Sequence, residues 1–189
     1  MTSASATTDT ELLRAMRGGS ADAFAALYRR HQGPLYRFAL LRSGAAGSAA
    51  DVVQEAFMGL LTERFKFDPL RGQLQHFLFG VARKLILKLE EAGRRHVALV
   101  RDDDDIGHEL PDEQACPLAR VLGNESAGQV RHALALLPPH YRDALILYEM
   151  HELSYAEIAA ICQVDIGTVR SRLSRGRAAL ARHLHLVQA

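Results

Sequence analysis

Apolar residues recur at helical spacing along almost the whole chain, and this periodicity constrains the fold more than any other feature. Val52, Val53, Ala56, Phe57, Leu60 and Leu61 stand at i, i+1, i+4, i+5, i+8 and i+9, the spacing that gathers side chains on one face of a helix. Leu74, Phe77, Leu78, Val81, Ala82, Leu85 and Leu89 form a second stripe. Phe24, Leu27, Tyr28, Leu35, Phe38 and Leu41 form another, across a Gly33-Pro34 interruption. Phe67-Asp68-Pro69-Leu70-Arg71-Gly72 separates the last two helices of this set, since Asp, Pro and Gly together mark a break. The spacing predicts a three-helix domain over residues 20–97, preceded by a tail or short helix within residues 1–19. Trp is absent and Pro numbers six, which disfavours a β-sandwich or a Pro-rich scaffold. The expected fold class is all-α, with two small helical domains.

Periodicity stops over residues 98–124. Asp102-Asp103-Asp104-Asp105, Pro111, Pro117 and Gly123 fall here, and the stretch reads as an acidic, flexible linker. The net charge of +1 hides a division: residues 1–98 carry +5, residues 99–125 carry −6, and residues 126–189 carry +2. Two basic blocks flanking an acidic one fit a polyanionic partner for the flanks. They also fit a solvated connection between ordinary domains.

A second helical domain is expected over residues 125–189. Leu136-Leu137-Pro138-Pro139 closes one helix and opens the next, because proline suits a first helical turn. Ser154-Tyr155-Ala156-Glu157 is a capping box, in which hydroxyl and carboxylate satisfy each other's helix-end amides. Ile158, Ala159, Ile161 and Cys162 follow as a buried face. Gln163-Val164-Asp165 reads as a tight turn, with Gln163 at a left-handed position where glycine is the easier residue. A basic helix then runs from about residue 166 to 186. On a helical wheel Val169, Leu173, Gly176, Leu180 and Leu184 share one side. Ser171, Ser174, Arg175 and Ala178 oppose them, with Arg170, Arg172 and Arg177 on the flanks. Five Arg and no acid fall between residues 170 and 182.

Two helices joined by a short turn, the second offering Arg and small polar residues, describe a helix-turn-helix. Arg bonds guanine bidentately and Ser bonds several bases, while flanking Arg grip phosphate. A basic, merely solubilising helix face is the alternative reading.

Other chemistry finds little support. Cys116 and Cys162 make no disulfide framework. The nine His form no set with ligand spacing, so no metal or cofactor is expected. No Gly-rich phosphate loop, nucleophile elbow or catalytic carboxylate pair occurs, which leaves an enzyme the weakest class. No apolar run approaches the ~20 residues of a membrane span, so no membrane insertion is expected. Residues 1–13 lack a secretory pattern, and a reducing cytoplasm is the expected compartment.

Leu137-Pro138-Pro139-His140-Tyr141-Arg142-Asp143-Ala144-Leu145, Leu153-Ser154-Tyr155-Ala156-Glu157-Ile158-Ala159 and Gly167-Thr168-Val169-Arg170-Ser171-Arg172-Leu173-Ser174-Arg175-Gly176-Arg177 resemble the promoter-binding domain of bacterial extracytoplasmic-function sigma factors. Asp51-Val52-Val53-Gln54-Glu55-Ala56-Phe57 resembles that family's polymerase-binding helix. Phe67-Asp68-Pro69 followed by Phe77-Leu78-Phe79-Gly80-Val81-Ala82-Arg83 resembles its segment that opens the minus-ten element. The resemblance covers nearly the whole chain and implies a non-enzymatic initiation factor. Its partners would be core RNA polymerase, promoter DNA and a cognate anti-sigma protein.

By that resemblance, Asp51, Gln54, Glu55 and Phe57 face the clamp of the polymerase large subunit. Phe57 also belongs to an apolar stripe, so core packing competes with that role. The loop from Phe65 to Gln75 would hold an unstacked minus-ten base, with Arg83, Lys84 and Lys88 on the DNA side. Thr168, Arg170, Ser171, Arg172, Ser174, Arg175 and Arg177 would meet the minus-thirty-five element. The chain departs from the family at Phe77, Lys84 and Lys88, where Trp, Asn and Asp are usual. Lys84 and Lys88 either strengthen backbone attraction there or lie along the helix surface.

Elements about 25 base pairs apart lie roughly 85 Å apart. Residues 98–124 extend to at most about 90–95 Å. The Asp102–Asp105 run would favour extension, and would either mimic RNA in the polymerase channel or cover the basic helix. A stand-alone helix-turn-helix regulator is the runner-up, and a sigma-like decoy a third reading. Neither a regulator nor a decoy needs both the Asp51–Phe57 motif and the Arg-rich helix.

Overall fold

The computed structural model describes residues 7–100 and 125–187, so the Asp102–Asp105 run and Cys116 lie outside the described residues. Within them every regular element is helical. Helix α1 spans Asp9–Arg17, α2 Ala21–Ser43, α3 Ala46–Leu61 and α4 Leu74–Val100, with a 3₁₀ turn at Pro69–Arg71 between the last two. Helix α5 spans Glu125–Ala135, α6 Pro139–Leu145, α7 Tyr155–Cys162 and α8 Ile166–Val187.

Local chemistry explains the ends. Thr8 caps α1 reciprocally with Glu11: the Glu11 amide donates to the Thr8 hydroxyl at 3.3 Å, and the Thr8 amide donates to Glu11 at 2.7 Å. Ser20 caps α2 through the Ala23 amide. Helix α2 runs unbroken through Pro34, where the sequence shows an interruption. A mid-helix proline removes one backbone hydrogen bond. Leu27, Leu35 and Phe38 are sealed from solvent around it, and burial of that stripe outweighs the local penalty. Helix α4 extends to Val100, beyond the expected boundary at residue 97.

The apolar stripes meet as the periodicity requires. Leu27, Leu35 and Phe38 of α2 join Val52, Val53, Ala56, Phe57 and Leu60 of α3, and Leu74, Leu78, Phe79, Ala82 and Ile86 of α4. Gly59 matters for one close approach. A Cβ there would lie 2.2 Å from the Phe65 ring, so only glycine lets Phe65 fold back over α3. That contact, with the Phe65 amide donating to the Gly59 carbonyl at 2.9 Å, turns the chain into the loop before α4.

The C-terminal helices form a second group. Helix α6 continues as a π-helical segment over Ile146–Met150, which ends at His151. Gly176 of α8 faces Leu145 and Tyr141 of α6; a Cβ there would come within 3.1 Å of the Leu145 side chain. The two groups are docked, and one continuous apolar core runs from Leu13 in α1 to Ala179 in α8.

Candidate nucleic-acid interface

The turn between α7 and α8 follows from its ends. Ser154 caps α7: the Glu157 amide donates to Ser154 Oγ at 3.3 Å, and the Ser154 amide donates to Glu157 at 2.8 Å. The Ser154 hydroxyl and amide hold the Glu157 carboxyl below its ordinary range. Gln163 takes φ 57° and ψ 52°, the left-handed conformation that the turn requires. The Val164 amide then closes back onto the Ala159 carbonyl at 3.0 Å.

Helix α8 buries Val169, Leu173, Gly176 and Ala179. Arg170, Ser171, Ser174, Arg175 and Ala178 are exposed on the other side. No ion pair among the described residues engages Arg170 or Arg175. Thr168 and Arg172 are half-buried, and the Thr168 carbonyl accepts from Ser171 Oγ at 2.9 Å. Arg177 is tied down: Nε and Nη2 donate to Glu149 at 2.9 and 2.8 Å, and its guanidinium lies over the Tyr148 ring. The surface best placed for base edges is therefore Arg170, Ser171, Ser174 and Arg175.

The loop before α4 is held at several points. Phe67 is buried against Phe77, with ring centroids 5.3 Å apart. The Leu70 amide donates to Asp68 Oδ1 at 3.0 Å, which fixes the 3₁₀ turn and leaves Leu70 95% exposed. His31 fastens the far end, its ring nitrogens 2.7 Å from Gln75 Oε1 and 2.9 Å from Asp9 Oδ2. A cavity of about 330 Å³ opens between this loop and α7, where Lys66, Arg71, His76 and Lys84 face Ile161 and Gln163. Lys84 and Lys88 are exposed on α4.

On the outer side of α3, Asp51 and Gln54 are exposed and Glu55 is half-buried beside Arg64 at 2.5 Å. With Leu85, Lys88 and Leu89 of α4 they line a groove of about 430 Å³. Phe57 corrects the expectation of an outward contact. It is 1% exposed, with ring centroids 6.3 Å from Phe24 and 4.8 Å from Tyr28. The α3 stripe turns it into the core, leaving Asp51, Gln54 and Glu55 as the outward set.

Arg83 lies apart from its lysine neighbours. Its Nε donates to Asp143 Oδ2 at 2.7 Å, across the junction between the two groups. Arg42 Nε donates to Asp143 Oδ1 at 2.5 Å, and the Arg42 fork donates to both Glu90 oxygens at 2.5 and 3.1 Å. Burial works against the Arg42 charge, but Glu90 and Asp143 outweigh it and raise its pKa. Arg142 donates to the Arg42, Ala135 and Leu137 carbonyls. The burial of Arg142 and the charge of Arg42 lower its pKa. His151 is wedged against Phe38 and Phe79, with centroids 6.4 and 4.5 Å apart. Burial, then Arg37, lowers its pKa to about 4.

Sequence reasoning did not find Arg42, Asp143, His151 or His31 as structural centres. Arg42 offered one signal, since it stands four residues beyond Phe38 on the core stripe. Asp143 offered none, because its partners lie 101 and 60 residues away.

Among the described residues every element is helical, and the last two helices form a capped helix-turn-helix with a polar and cationic face open on the second, the arrangement of DNA-binding helix-turn-helix proteins. Comparison sharpens this. The family description Sigma-70 region 2 matches residues 27–95, and Sigma-70, region 4 matches residues 127–180. SigM of Mycobacterium tuberculosis, an ECF RNA polymerase sigma factor, is 33% identical over 179 residues, covering 93% of this chain and 84% of SigM. SigE of Mycolicibacterium smegmatis is 32% identical over 159 residues, covering 84% of this chain and 60% of SigE. The sigma factor RpoE of Bartonella quintana, solved with the anti-sigma factor NepR, superposes with a TM-score of 0.67 at 27% identity, covering 86% of this chain and 96% of that one. CnrH, solved with the cytosolic domain of CnrY, shares the fold with a TM-score of 0.66 at 23% identity, covering 94% and 97%. The chain belongs to the ECF RNA polymerase sigma factor family. No helix among the described residues is long and apolar enough to cross a membrane.

Proposed function

We propose that this sigma factor binds core RNA polymerase and directs it to a bipartite promoter, without covalent chemistry of its own. Residues 20–97 act as the polymerase-binding and minus-ten domain, residues 98–124 as the linker, and residues 125–189 as the minus-thirty-five domain. Asp51, Gln54 and Glu55 offer the clamp of the large subunit an exposed polar face. Arg170, Ser171, Ser174 and Arg175 enter the major groove, while Thr168, Arg172 and Arg177 set register on phosphate. The loop over residues 65–75, with Lys84 and Lys88, takes the opened minus-ten strand. An anti-sigma protein is a further partner, as NepR is for the similar RpoE.

The observation that carries this reading is the pairing of two open faces in one chain: Arg170/Ser171/Ser174/Arg175 on α8 and Asp51/Gln54/Glu55 on α3. A stand-alone regulator needs only the first. Co-elution with bacterial core polymerase tests it, with Gln54→Ala/Glu55→Arg beside the wild type. Binding that the double variant loses is expected. No binding by the wild type, together with specific duplex binding alone, overturns it.

A further inference from the structure

Two arginines from different helices of the N-terminal group converge on one point, and a carboxylate from the C-terminal group fills it. Arg42 and Arg83 each give an Nε–H to Asp143, at 2.5 and 2.7 Å. The Arg42 and Asp143 side chains are 0% and 1% exposed. One helical turn before Arg83 stands Phe79, and the His151 ring of the C-terminal group rests against it. A carboxylate between two guanidiniums, beside an aromatic contact, has the charge and oxygen placement of a phosphodiester next to a base.

The surroundings agree. Docking leaves the α8 face and the Asp51/Gln54/Glu55 face open, but it covers Arg83 and sets Ile161 and Gln163 against the minus-ten loop. A folded chain of this length has a radius of gyration of about 16 Å, far short of the roughly 85 Å between promoter elements. The halves must therefore separate on a promoter. When they do, Asp143 and Arg142 leave together; Arg42 keeps Glu90, and Arg83 is left without the carboxylate it holds here. Separation opens the junction to solvent and leaves two guanidiniums free to take a second oxyanion in place of the first.

We propose that Arg42 and Arg83 form a seat for a backbone phosphate of the opened promoter strand, and that in the docked chain Asp143 occupies this seat. The helix-turn-helix half and the strand thereby exclude one another. This rests on the sigma-factor reading above and adds to it Arg42 as a DNA residue and Asp143 as an internal competitor.

The test uses the full chain and a fluorescent single-stranded dT15 oligonucleotide, because phosphate contacts need no promoter sequence. Asp143→Asn keeps the side chain's shape and removes its charge. It is expected to bind dT15 at least about fivefold more tightly than wild type, the lower end of usual coupling. Asp143→Asn/Arg83→Gln is expected to lose that gain, with the salt slope falling by about 0.7 for one phosphate. Coupling is reciprocal, so saturating dT15 must also expand the wild type in small-angle scattering. This second arm decides the matter if Asp143→Asn fails to fold. Unchanged affinity in a folded Asp143→Asn, binding by the wild type without expansion, or no binding by either protein overturns the proposal. Polymerase co-elution separates the two readings. Failure there with the oligonucleotide gain intact removes the sigma-factor reading and leaves the seat. Success there without the gain removes the seat alone.

Discussion

Arg42 and Asp143 stand 101 residues apart in sequence and meet at 2.5 Å, both sealed from solvent. Each reaches across the junction: Arg42, whose fork holds Glu90 of its own group, turns its Nε–H to the carboxylate that α6 brings, and Asp143 takes its guanidiniums from α2 and α4. Removing one partner of such a pair costs about 3–5 kcal/mol, chiefly because the other charge stays buried. The pair thus makes the position of the helix-turn-helix depend on the helices that flank the loop over residues 65–73.

Ser154→Ala removes the cap that starts α7. A loss of about 1 kcal/mol is expected, seen as a lower thermal midpoint. The Glu157 carboxyl should also move back up toward its ordinary 4.5, because the Ser154 hydroxyl and amide are what hold it down. Carboxyl titration by NMR checks this. A depressed carboxyl contributes stability above its unfolded pKa, lost as pH falls through the folded one. The capping contribution should therefore fade below about pH 4.5.

His151 has the opposite chemistry and loses stability on the same side. Its folded pKa is about 4 against an ordinary 6.5, first because of burial and then because of Arg37. Between those values the unfolded or undocked chain binds the extra proton, so stability falls as pH drops from 6.5 toward 4. His151→Leu should flatten that part of the pH–stability curve. An unchanged slope would place the acid sensitivity elsewhere.

Cys162 is buried, and desolvation pushes its thiol up to about 11, with Asp143 adding to the shift. The thiolate is the reactive form. In a Cys116→Ser background, Ellman's reagent at pH 8 should react slowly with the folded chain and rapidly after guanidinium unfolding. Fast reaction in the native state would show that α7 opens readily.

Arg170→Ala and Arg175→Ala should each weaken duplex binding to the cognate promoter by about 1–3 kcal/mol where the residue reads a base. A phosphate contact would instead weaken all duplexes alike and lower the salt slope by about 1. Titrations on cognate and scrambled duplexes at several salt concentrations separate the two. Arg177→Ala should do less to affinity, since that guanidinium already pairs with Glu149.

Phe57→Ala should cost about 3–5 kcal/mol of stability, as for a large aromatic removed from a core. Gln54→Ala, on the exposed face beside it, should change stability by no more than about 0.5 kcal/mol and reduce polymerase binding. Thermal melts run beside polymerase pull-downs distinguish a packing residue from a contact residue one turn of α3 apart.

Much of this architecture is legible in one dimension because it is local. The stripes of α2, α3 and α4 are written at helical spacing, and their burial follows it. The left-handed Gln163 follows from the length of the turn, and the open face of α8 from a wheel. Pro34 reads as an interruption because local rules see a missing amide, while burial of Leu27, Leu35 and Phe38 holds the helix together. Phe57 sits on a stripe and in a motif at once, and only packing decides between them. The Arg42–Asp143–Arg83 junction has no local pattern. A buried charge is intelligible only beside its partners, and these come from α2, α4 and α6.

The continuous core also makes temperature a variable of the docked state. Separating the two groups hydrates Phe38 and Phe79 where His151 now covers them, and hydrating apolar surface raises heat capacity. Hydrophobic adhesion weakens on cooling. The apolar share of the grip of one half on the other therefore slackens in the cold and strengthens on warming.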